Sequence, residues 1–452
     1  MTLRFRRFLY IFFILLFLVI TPLVWLYAAG YKIKNGWQIQ KTGMLVVETE
    51  PKGAKIYINN EPKQQILKKI FSEENSYITT PTKIKNLLPG KYNIKLEKKN
   101  YWPWEKKIEI ESGKTTFFEN IKLFKNNIPQ ILAEGQFNES YLSPNKKYAA
   151  LIDNEQIIFL NIDEKKEENY SIDKSIFDEN FSQAKNPWSE DNKKIIIKNL
   201  IFDVENIQKP TIINGDKDAK INNLKWAEDS KKIYYLNNEG INYFDVDSKK
   251  TKNIISNASI FDYLIKNNLI YSLEKTNQST AINTYRIDQE SAIGKINLPS
   301  YSYEFINPSS KYINIYDEEY KILYLIDPFS NLKPLVDIIN DVNKTYWINN
   351  DALLYSNNFE IWMLDAKTLN KNLVTRIGSE IEGIIWYPAG GYIIYTTEKN
   401  INILEWGSDN KCCTTKIIEA ESIKNINLDK EGETLYFNAK TNNQLGLYKL
   451  AI

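Results

Sequence analysis

Two residue types that support much enzyme and metal chemistry are scarce in this 452-residue chain. Histidine is absent, which excludes Ser-His-Asp and Cys-His nucleophiles, histidine general bases and the common histidine-containing zinc sites. The two cysteines, Cys412 and Cys413, are adjacent, so they cannot form a four-cysteine metal site. Their spacing is compatible with a vicinal disulfide or with two small buried side chains, and we expect the second.

Carboxylates are the acid–base groups that remain. Residues 128–452 contain 46 Asp and Glu, and glycosidases act with two carboxylates placed across a sugar. No spacing selects a pair. Calcium-binding loops need D-x-D-x-D-G with a distal Glu, and neither Asp216 with Asp218 nor Asp245 with Asp247 extends to that pattern, so we interpret them as turn residues.

Other catalytic and nucleotide motifs are also incomplete. Gly113–Lys114–Thr115 resembles the end of a phosphate-binding loop, but the required Gly five positions earlier is Ile108, and a strand pattern follows it. No G-x-S-x-G nucleophile elbow occurs. We therefore predict no catalytic, cofactor-binding or metal-binding residues.

Aromatic side chains are the remaining candidates for ligand contact. Tyr101, Trp102 and Trp104 form the densest cluster, which fits contact with a glycan or membrane surface, although a domain core accounts for Tyr101 and Trp104. A second set of tryptophans recurs further along the chain, and we expect its members to pack inside the fold rather than bind sugars: Trp188, Trp226, Trp347 and Trp386.

The first element that positions these residues is the apolar run Phe8–Ala29, which has no charged side chain. As a helix its 22 residues reach about 33 Å, enough to cross a bilayer core. The run is longer than the apolar core of a cleaved export signal, so we expect a permanent anchor rather than a signal peptide. Residues 1–7 are a basic tail with three arginines, which predicts a cytoplasmic N-terminus and an extracytoplasmic bulk.

After a predicted linker at residues 30–41, the hydrophobic pattern has a period of two. Ala54, Ile56 and Ile58 alternate with polar residues, and similar alternation follows around Ile94 and Ile108. Pro–Gly and Ser–Gly turn signals separate these segments. The pattern predicts a small antiparallel β-sandwich with one solvated face.

The motifs of this segment are similar to those of the PEGA domain family. They are the Gly43–Ile58 segment with Lys52 at the Glu position of the name motif, Thr80–Pro81, Leu88–Pro89–Gly90–Lys91–Tyr92 and Tyr101–Trp102–Pro103–Trp104. The resemblance covers residues 42–125. It departs from the family at Asn100, where a Gly is usual, and in a longer insertion at residues 61–79. It implies an extracytoplasmic sandwich without catalytic residues.

From residue 128 onward the chain repeats one phrase: an apolar or Trp residue, a polar turn, then an apolar strand seven positions later. Five clear copies and three looser ones begin at or near Leu142, Trp188, Trp226, Tyr263, Ile306, Trp347, Trp386 and Ile426. A repeat of about 41 residues is the length of a four-stranded propeller blade. The phrase resembles the WD40-like repeats of the Tol-system periplasmic propeller and of propeller-bearing peptidases.

The resemblance implies a β-propeller over residues 128–452, and seven or eight blades both fit the spacing. Gly in the repeat turn is replaced by Asn192 and Ser230, which tolerate left-handed backbone geometry. The strand Gln130–Ala133 is placed to close the ring against the last blade. The predicted fold class is therefore all-β apart from one transmembrane helix, with a small PEGA-like sandwich followed by a propeller.

Charge is unevenly distributed between these parts. Residues 31–127 carry a net charge of +9 and residues 128–452 one of −10. The basic module is compatible with anionic headgroups or wall polymers, and equally with a solvated strand face. An acidic propeller held outside the membrane is not expected to bind nucleic acid.

Together these features favour a single-pass, membrane-anchored, non-enzymatic binding or scaffolding protein of the bacterial cell envelope. Its expected partners are the membrane, envelope proteins or wall polymers. The alternative is a carboxylate-dependent glycan hydrolase that acts in the propeller funnel.

Overall fold

The structure is a computed structural model. It describes residues 3–34, 38–64, 76–172, 177–213, 220–276, 279–287, 289–299, 302–306, 311–330, 333–407 and 413–452. The chain divides into two compact units. Residues 1–128 make up most of the first unit, and the second consists of residues 129–412 and 418–451.

Helix α1, Leu3–Ala28, contains the predicted apolar run. Its apolar side chains point outward all around the helix: Phe8, Phe17 and Trp25 are each more than 60% exposed. A helix of 26 residues is about 39 Å long, and α1 has the length and composition of a membrane-spanning segment. An anchor and an export signal share these properties.

Within residues 30–41, predicted to be a linker, two described segments pair as antiparallel strands, β1 (Tyr31–Lys34) and β2 (Gln38–Lys41). Tyr31 pairs with Lys41 and Ile33 with Ile39. The physical reason is that both segments alternate polar and apolar residues, the pattern of a strand.

The sandwich packs two sheets over one hydrophobic core. One sheet has the order β6-β3-β9 and the other β5-β4-β7-β8. The core includes Leu45, Ile56, Ile94 and Leu96, all almost fully buried. The strands are β3 (Gly43–Glu50), β4 (Lys55–Ile58), β5 (Glu61–Pro62), β6 (Thr82–Leu87), β7 (Gly90–Glu97), β8 (Trp104–Ile110) and β9 (Thr115–Lys122).

The predicted antiparallel arrangement of this sandwich needs one correction, because β3 pairs with β9 in parallel. Met44 lies beside Thr115, and Val46 beside Phe117. Alternation places each residue on a face of its strand, but it does not say which strand is the neighbour, and β3 and β9 are far apart in the chain.

Among the described residues, the repeats form eight sheets, numbered here as blades 1 to 8 in chain order. Blade 1 contains β11 (Glu139–Leu142), β12 (Tyr148–Ile152), β13 (Gln156–Asn161) and β14 (Lys166–Ser171), and blade 2 contains β15 (Lys194–Ile197), β16 (Leu200–Asp203) and β17 (Asn206–Ile212). Blade 3 contains β18 (Asn222–Trp226), β19 (Lys232–Asn237), β20 (Gly240–Asp245) and β21 (Lys250–Ser256). Blade 4 contains β22 (Ile260–Lys266), β23 (Leu269–Lys275), β24 (Thr280–Arg286) and β25 (Gly294–Leu298).

Blade 5 contains β26 (Tyr303–Ile306), β27 (Ile313–Asp317), β28 (Ile322–Ile326) and β29 (Leu335–Ile339), and blade 6 contains β30 (Lys344–Trp347), β31 (Ala352–Ser356), β32 (Glu360–Asp365) and β33 (Asn370–Arg376). Blade 7 contains β34 (Gly383–Trp386), β35 (Tyr392–Thr396), β36 (Asn400–Glu405) and β37 (Thr414–Glu419). Blade 8 contains β38 (Ser422–Leu428), β39 (Thr434–Thr441) and β40 (Gln444–Ala451), and is completed by β10 (Gln130–Glu134). Of the two predicted blade counts, the structure has eight.

The seven-residue spacing of the repeat phrase is the register of the first hairpin of a blade. Trp226 pairs with Ile233, Leu142 with Ala149, and Trp386 with Ile393. Trp188 forms the same bridge to Ile195. The turn between the two strands takes left-handed geometry, as predicted from Asn192 and Ser230, whose φ angles are 62° and 57°.

Blade 8 is built from both ends of the repeat region, as predicted. Strand β10 pairs with β40, so that Gln130 lies opposite Lys449 and Glu134 opposite Gly446. Blade 8 then packs against blade 1 through a cluster that joins Tyr436 and Leu447 to Ala149 and Leu151. The pairing with β10 covers the edge of β40, which would otherwise be exposed.

The hydrophobic core of the propeller lies between neighbouring blades. The four repeated tryptophans belong to these clusters: Trp188 between blades 1 and 2, Trp226 between 2 and 3, Trp347 between 5 and 6, and Trp386 between 6 and 7. The indole of Trp188 donates to the Tyr141 carbonyl (3.1 Å), and that of Trp226 to the Pro187 carbonyl (2.8 Å). Their predicted packing role is confirmed.

Candidate functional site

The aromatic candidates of the sandwich separate into core and partly exposed residues. Trp104 is 6% exposed and packs edge-on against Phe118, with ring centroids 5.7 Å apart. Tyr101 is half-buried against the same core. Trp102 is also half-buried, and its backbone amide donates to the Phe124 carbonyl at 2.8 Å. A ligand role for Tyr101, Trp102 and Trp104 remains a prediction.

The acidic pairs and the cysteines are placed as follows. Asp245 accepts hydrogen bonds from the Ser248 amide and hydroxyl, both at 2.8 Å, which lower the pKa of its carboxyl and give it the predicted role of a turn residue. Asp216, Asp218 and Cys412 lie outside the described residues, and Cys413 is half-buried. Within the described ranges, no three potential metal-ligating side chains come together.

The first strands of the blades surround the central channel, and the wall formed by blades 2 to 5 is charged. Lys185 of blade 2 forms an ion pair of 2.5 Å with Glu304 of blade 5. Lys225 of blade 3 approaches Asp262 of blade 4 at 3.5 Å and donates to the Tyr263 carbonyl. These charges therefore have partners within the channel wall itself.

Asp262 joins three inner strands. Its carboxylate accepts hydrogen bonds from the Phe305 amide (2.7 Å), the Tyr263 amide (2.8 Å) and the Asn223 side chain (3.2 Å), in addition to Lys225. Burial lowers the pKa of the Lys225 ammonium, while the charge of Asp262 opposes this change. The arrangement holds blades 3, 4 and 5 together and leaves the Asp262 carboxylate fully engaged.

Two cavities of about 740 and 360 Å³ lie beside the first strands of blades 6 to 8. The larger one is lined mostly by apolar residues, whereas the smaller one also has Glu304, Lys344 and Glu382 in its lining. Both cavities are lined by Ile384, Ile385 and Ile426, so they adjoin along the inner strands. We name these two adjoining cavities the channel groove. The larger cavity extends the apolar lining with Tyr346, Ile348, Trp386 and Leu428.

One end of the channel groove carries the ammonium group of Lys146, from the first turn of blade 1. Lys146 Nζ donates to Asn427 Oδ1 at 3.1 Å. Burial lowers the pKa of this ammonium, whereas the charge of Asp429 raises it. Sequence reasoning missed this site because it joins residues of five blades, and Lys146 and Asn427 are separated by 281 positions.

The sandwich is similar in sequence to a known domain family. Residues 70–125 match the PEGA domain family. This match covers the second part of the segment in which we recognised PEGA motifs, and the PEGA sandwich precedes the repeats. No curated protein matches the sequence.

The propeller is similar in structure to several solved proteins. The Dos1 propeller has 11% sequence identity and a TM-score of 0.51, and the match covers 72% of this chain and 94% of that one. A eukaryotic initiation factor has 13% identity and a TM-score of 0.51, with 72% and 93% coverage. The C-terminal WD40 domain of Sif2 has 12% identity and a TM-score of 0.49, with 72% and 99% coverage. The repeats have the fold of a β-propeller, as predicted.

Proposed function

We propose that this chain is a membrane-anchored, non-enzymatic binding or scaffolding protein of the cell envelope. In this proposal α1 is a permanent single-pass anchor with a cytoplasmic N-terminus, and both the PEGA sandwich and the propeller lie outside the membrane. The observation that carries it is the apolar, outward-facing surface of α1 in the same chain as a propeller with the channel groove. Propellers commonly serve as rigid interaction platforms, and α1 would hold this one at the membrane.

The proposed partners are envelope proteins or wall polymers. Outside the membrane, the PEGA-like segment with a charge of +9 would lie near anionic headgroups or polymers, which attract lysine side chains. The propeller region carries −10 and would repel nucleic acid.

A non-enzymatic role agrees with the state of the channel carboxylates. A glycosidase needs one carboxyl group available as an acid and a second as a base or nucleophile. Asp262 accepts four hydrogen bonds, and Glu304 is paired with Lys185. Both carboxylates are engaged in joining blades, and for Glu304 this leaves Glu382 as the second acid of the smaller cavity on which the alternative of a glycan hydrolase would depend.

The test is a pull-down from envelope fractions with the full chain in detergent micelles, with the heat-denatured chain on the same resin as control. We expect the folded chain to retain a protein or a wall polymer that the control does not. Retention of neither would contradict the binding proposal. Turnover of a glycan substrate that is abolished by Glu304→Gln would contradict the non-enzymatic part.

A further inference from the structure

We propose that the propeller binds a sugar ring of an envelope glycan in a polar pocket between blades 8 and 1. This inference rests on the proposed binding function and narrows its partner to a glycan. The pocket has a volume of about 250 Å³, and we name it the junction pocket. Of its described lining residues, Asn425 alone also lines the channel groove.

The junction pocket forms where the chain crosses from blade 8 to blade 1. Strand β10 ends at Glu134, and the amide of Gly135 then donates to the Leu445 carbonyl at 2.9 Å. A Cβ atom on Gly135 would lie 2.9 Å from the ring of Phe137, so this half-buried ring lies directly against the Gly135 backbone. The crossing therefore places an aromatic ring in the lining of the pocket.

Most of the other lining residues are neutral and polar. Six of them carry an amide or a hydroxyl group: Gln136, Asn138, Ser140, Ser422, Asn425 and Asn438. Such groups offer both donors and acceptors. The hydroxyl groups of a sugar ring also do both, and the one charged residue among the described lining, Lys424, adds a further donor. The lining therefore suits a ligand rich in hydroxyl groups.

Asn438 provides the most specific observation. It lies on the same face of β39 as Tyr436, which belongs to the apolar cluster between blades 8 and 1. Asn438 Nδ2 donates to Ser140 Oγ at 2.8 Å, whereas Asn438 Oδ1 is buried and has no hydrogen-bond partner among the described residues. A buried oxygen without a partner is destabilising. A hydroxyl group of a ligand in the pocket would supply the missing donor.

Size and shape narrow the ligand to one sugar ring. Pockets for drug-sized ligands measure about 300–1,000 Å³, so a volume of about 250 Å³ suits a smaller molecule. A pyranose presents C–H groups on one side, which fit the apolar ring of Phe137. Its hydroxyl groups lie around the edge, where they can reach the polar lining.

The experiment uses the fluorescently labelled full chain in a detergent without a sugar headgroup, and an array of immobilised bacterial glycans as the probe. The affinities of the sugars that bind are then measured by calorimetry. The protein variants are Asn438→Leu and Phe137→Leu. The matched controls are Asn372→Leu, at an exposed position of β33, and Phe359→Leu, at an exposed phenylalanine outside the pocket.

We expect the unchanged chain to bind a subset of the glycans that share one sugar. Asn438→Leu and Phe137→Leu should each weaken this binding about tenfold or more, whereas both controls should bind as the unchanged chain does.

A series of deoxy analogues of that sugar tests the contact on unaltered protein, independently of variant folding. One analogue should bind the unchanged chain about tenfold more weakly than the complete sugar does. Asn438→Leu should bind this analogue and the complete sugar equally, because the two changes remove the same hydrogen bond.

An array on which no glycan is bound would overturn the inference. So would equal affinities of Asn438→Leu and the unchanged chain for the bound sugar. If the pull-down still retains an envelope protein or a wall polymer in these cases, the binding function stands and only the assigned ligand is wrong. If neither experiment retains anything, both proposals fail.

Discussion

Asp262 shows how one carboxylate can stabilise a large part of the ring. We expect Asp262→Asn to lower the free energy of unfolding by roughly 2–3 kcal/mol, because it leaves the charge of Lys225 without its partner. The loss should be below that of a fully buried pair, since the Lys225 side chain is 32% exposed. Chemical denaturation at neutral pH measures this change.

The matched control for this prediction is Asp247→Asn, at an exposed turn position of blade 3. Surface substitutions of this kind change stability by about 0.5 kcal/mol or less. Equal denaturation midpoints for Asp262→Asn and Asp247→Asn would show that the contacts of Asp262 with blades 3, 4 and 5 contribute little to the free energy of unfolding.

Two buried tyrosines have raised pKa values, from which we expect a loss of stability at alkaline pH. Burial, with smaller contributions from Asp337 and Glu360, raises the pKa of Tyr355 to about 12. Burial and the hydrogen bond to Glu274 raise that of Tyr285 to about 12. The unfolded chain loses these protons near pH 10, whereas the folded chain keeps them. The stabilisation is therefore complete below pH 10 and is lost as the pH rises to 12.

We expect Tyr355→Phe to reduce this pH dependence, because phenylalanine does not ionise. Denaturation of both proteins at pH 8, 10 and 11 measures the two slopes. Three partly buried lysines have lowered pKa values, which makes stability rise with pH: Lys146, Lys225 and Lys266. They are the same in both proteins, so the difference between the two slopes comes from Tyr355 alone. Parallel curves would contradict the assignment.

At the scale of elements, the contact between β10 and β40 depends on Gly446. A Cβ atom at this position would lie 2.2 Å from the Ala133 carbonyl oxygen. We expect Gly446→Ala to separate the two strands and to destabilise the propeller by roughly 1–3 kcal/mol. Hydrogen exchange of the β10 amides should become faster.

Gly378→Ala is the control for this substitution, because no atom lies within 4 Å of the position its Cβ would take. The Gly446 prediction is wrong if the β10 amides exchange at the same rate in both variants.

Sequence patterns predicted single elements well where a local repeat determines them. The spacing from Trp226 to Ile233 and from Trp386 to Ile393 reproduces the register of two hairpins. The hairpin β1–β2 was missed although its alternation is visible, because its location between an anchor and a domain suggested a linker. The parallel pairing of β3 with β9 has no local signal at all.

The channel site was not predictable for a related reason. Lys146 lines one cavity with residues of blades 6, 7 and 8 only because the ring closes, and no sequence pattern relates these residues. The pairing of Lys225 with Asp262 is hidden among the many acids and lysines of the repeats. Sequence periodicity identifies strands and faces, whereas a site between blades depends on their three-dimensional arrangement.

At the scale of the whole molecule, the proposed topology predicts behaviour in membranes. We expect the chain to stay in the membrane pellet after alkaline carbonate washing. Leu15→Arg combined with Leu18→Arg should shift it toward the soluble fraction, because each central arginine costs about 2.5–3.5 kcal/mol on insertion scales. Phe5→Arg, near the helix end and beside Arg4, Arg6 and Arg7, is the control and should stay in the pellet.

Recovery of the unchanged chain from a detergent-free soluble extract, with its N-terminus near Gly30, would contradict the anchor and indicate a cleaved signal.

The pairing of β10 with β40 also affects how the protein is made. Strand β10 leaves the ribosome first among the propeller strands, but its partner is the last strand of the ring. Blade 8 cannot be completed until Gln444–Ala451 has been synthesised. The first seven blades can therefore form only an open array, and the edge of β10 stays unpaired until the last strand of the ring arrives.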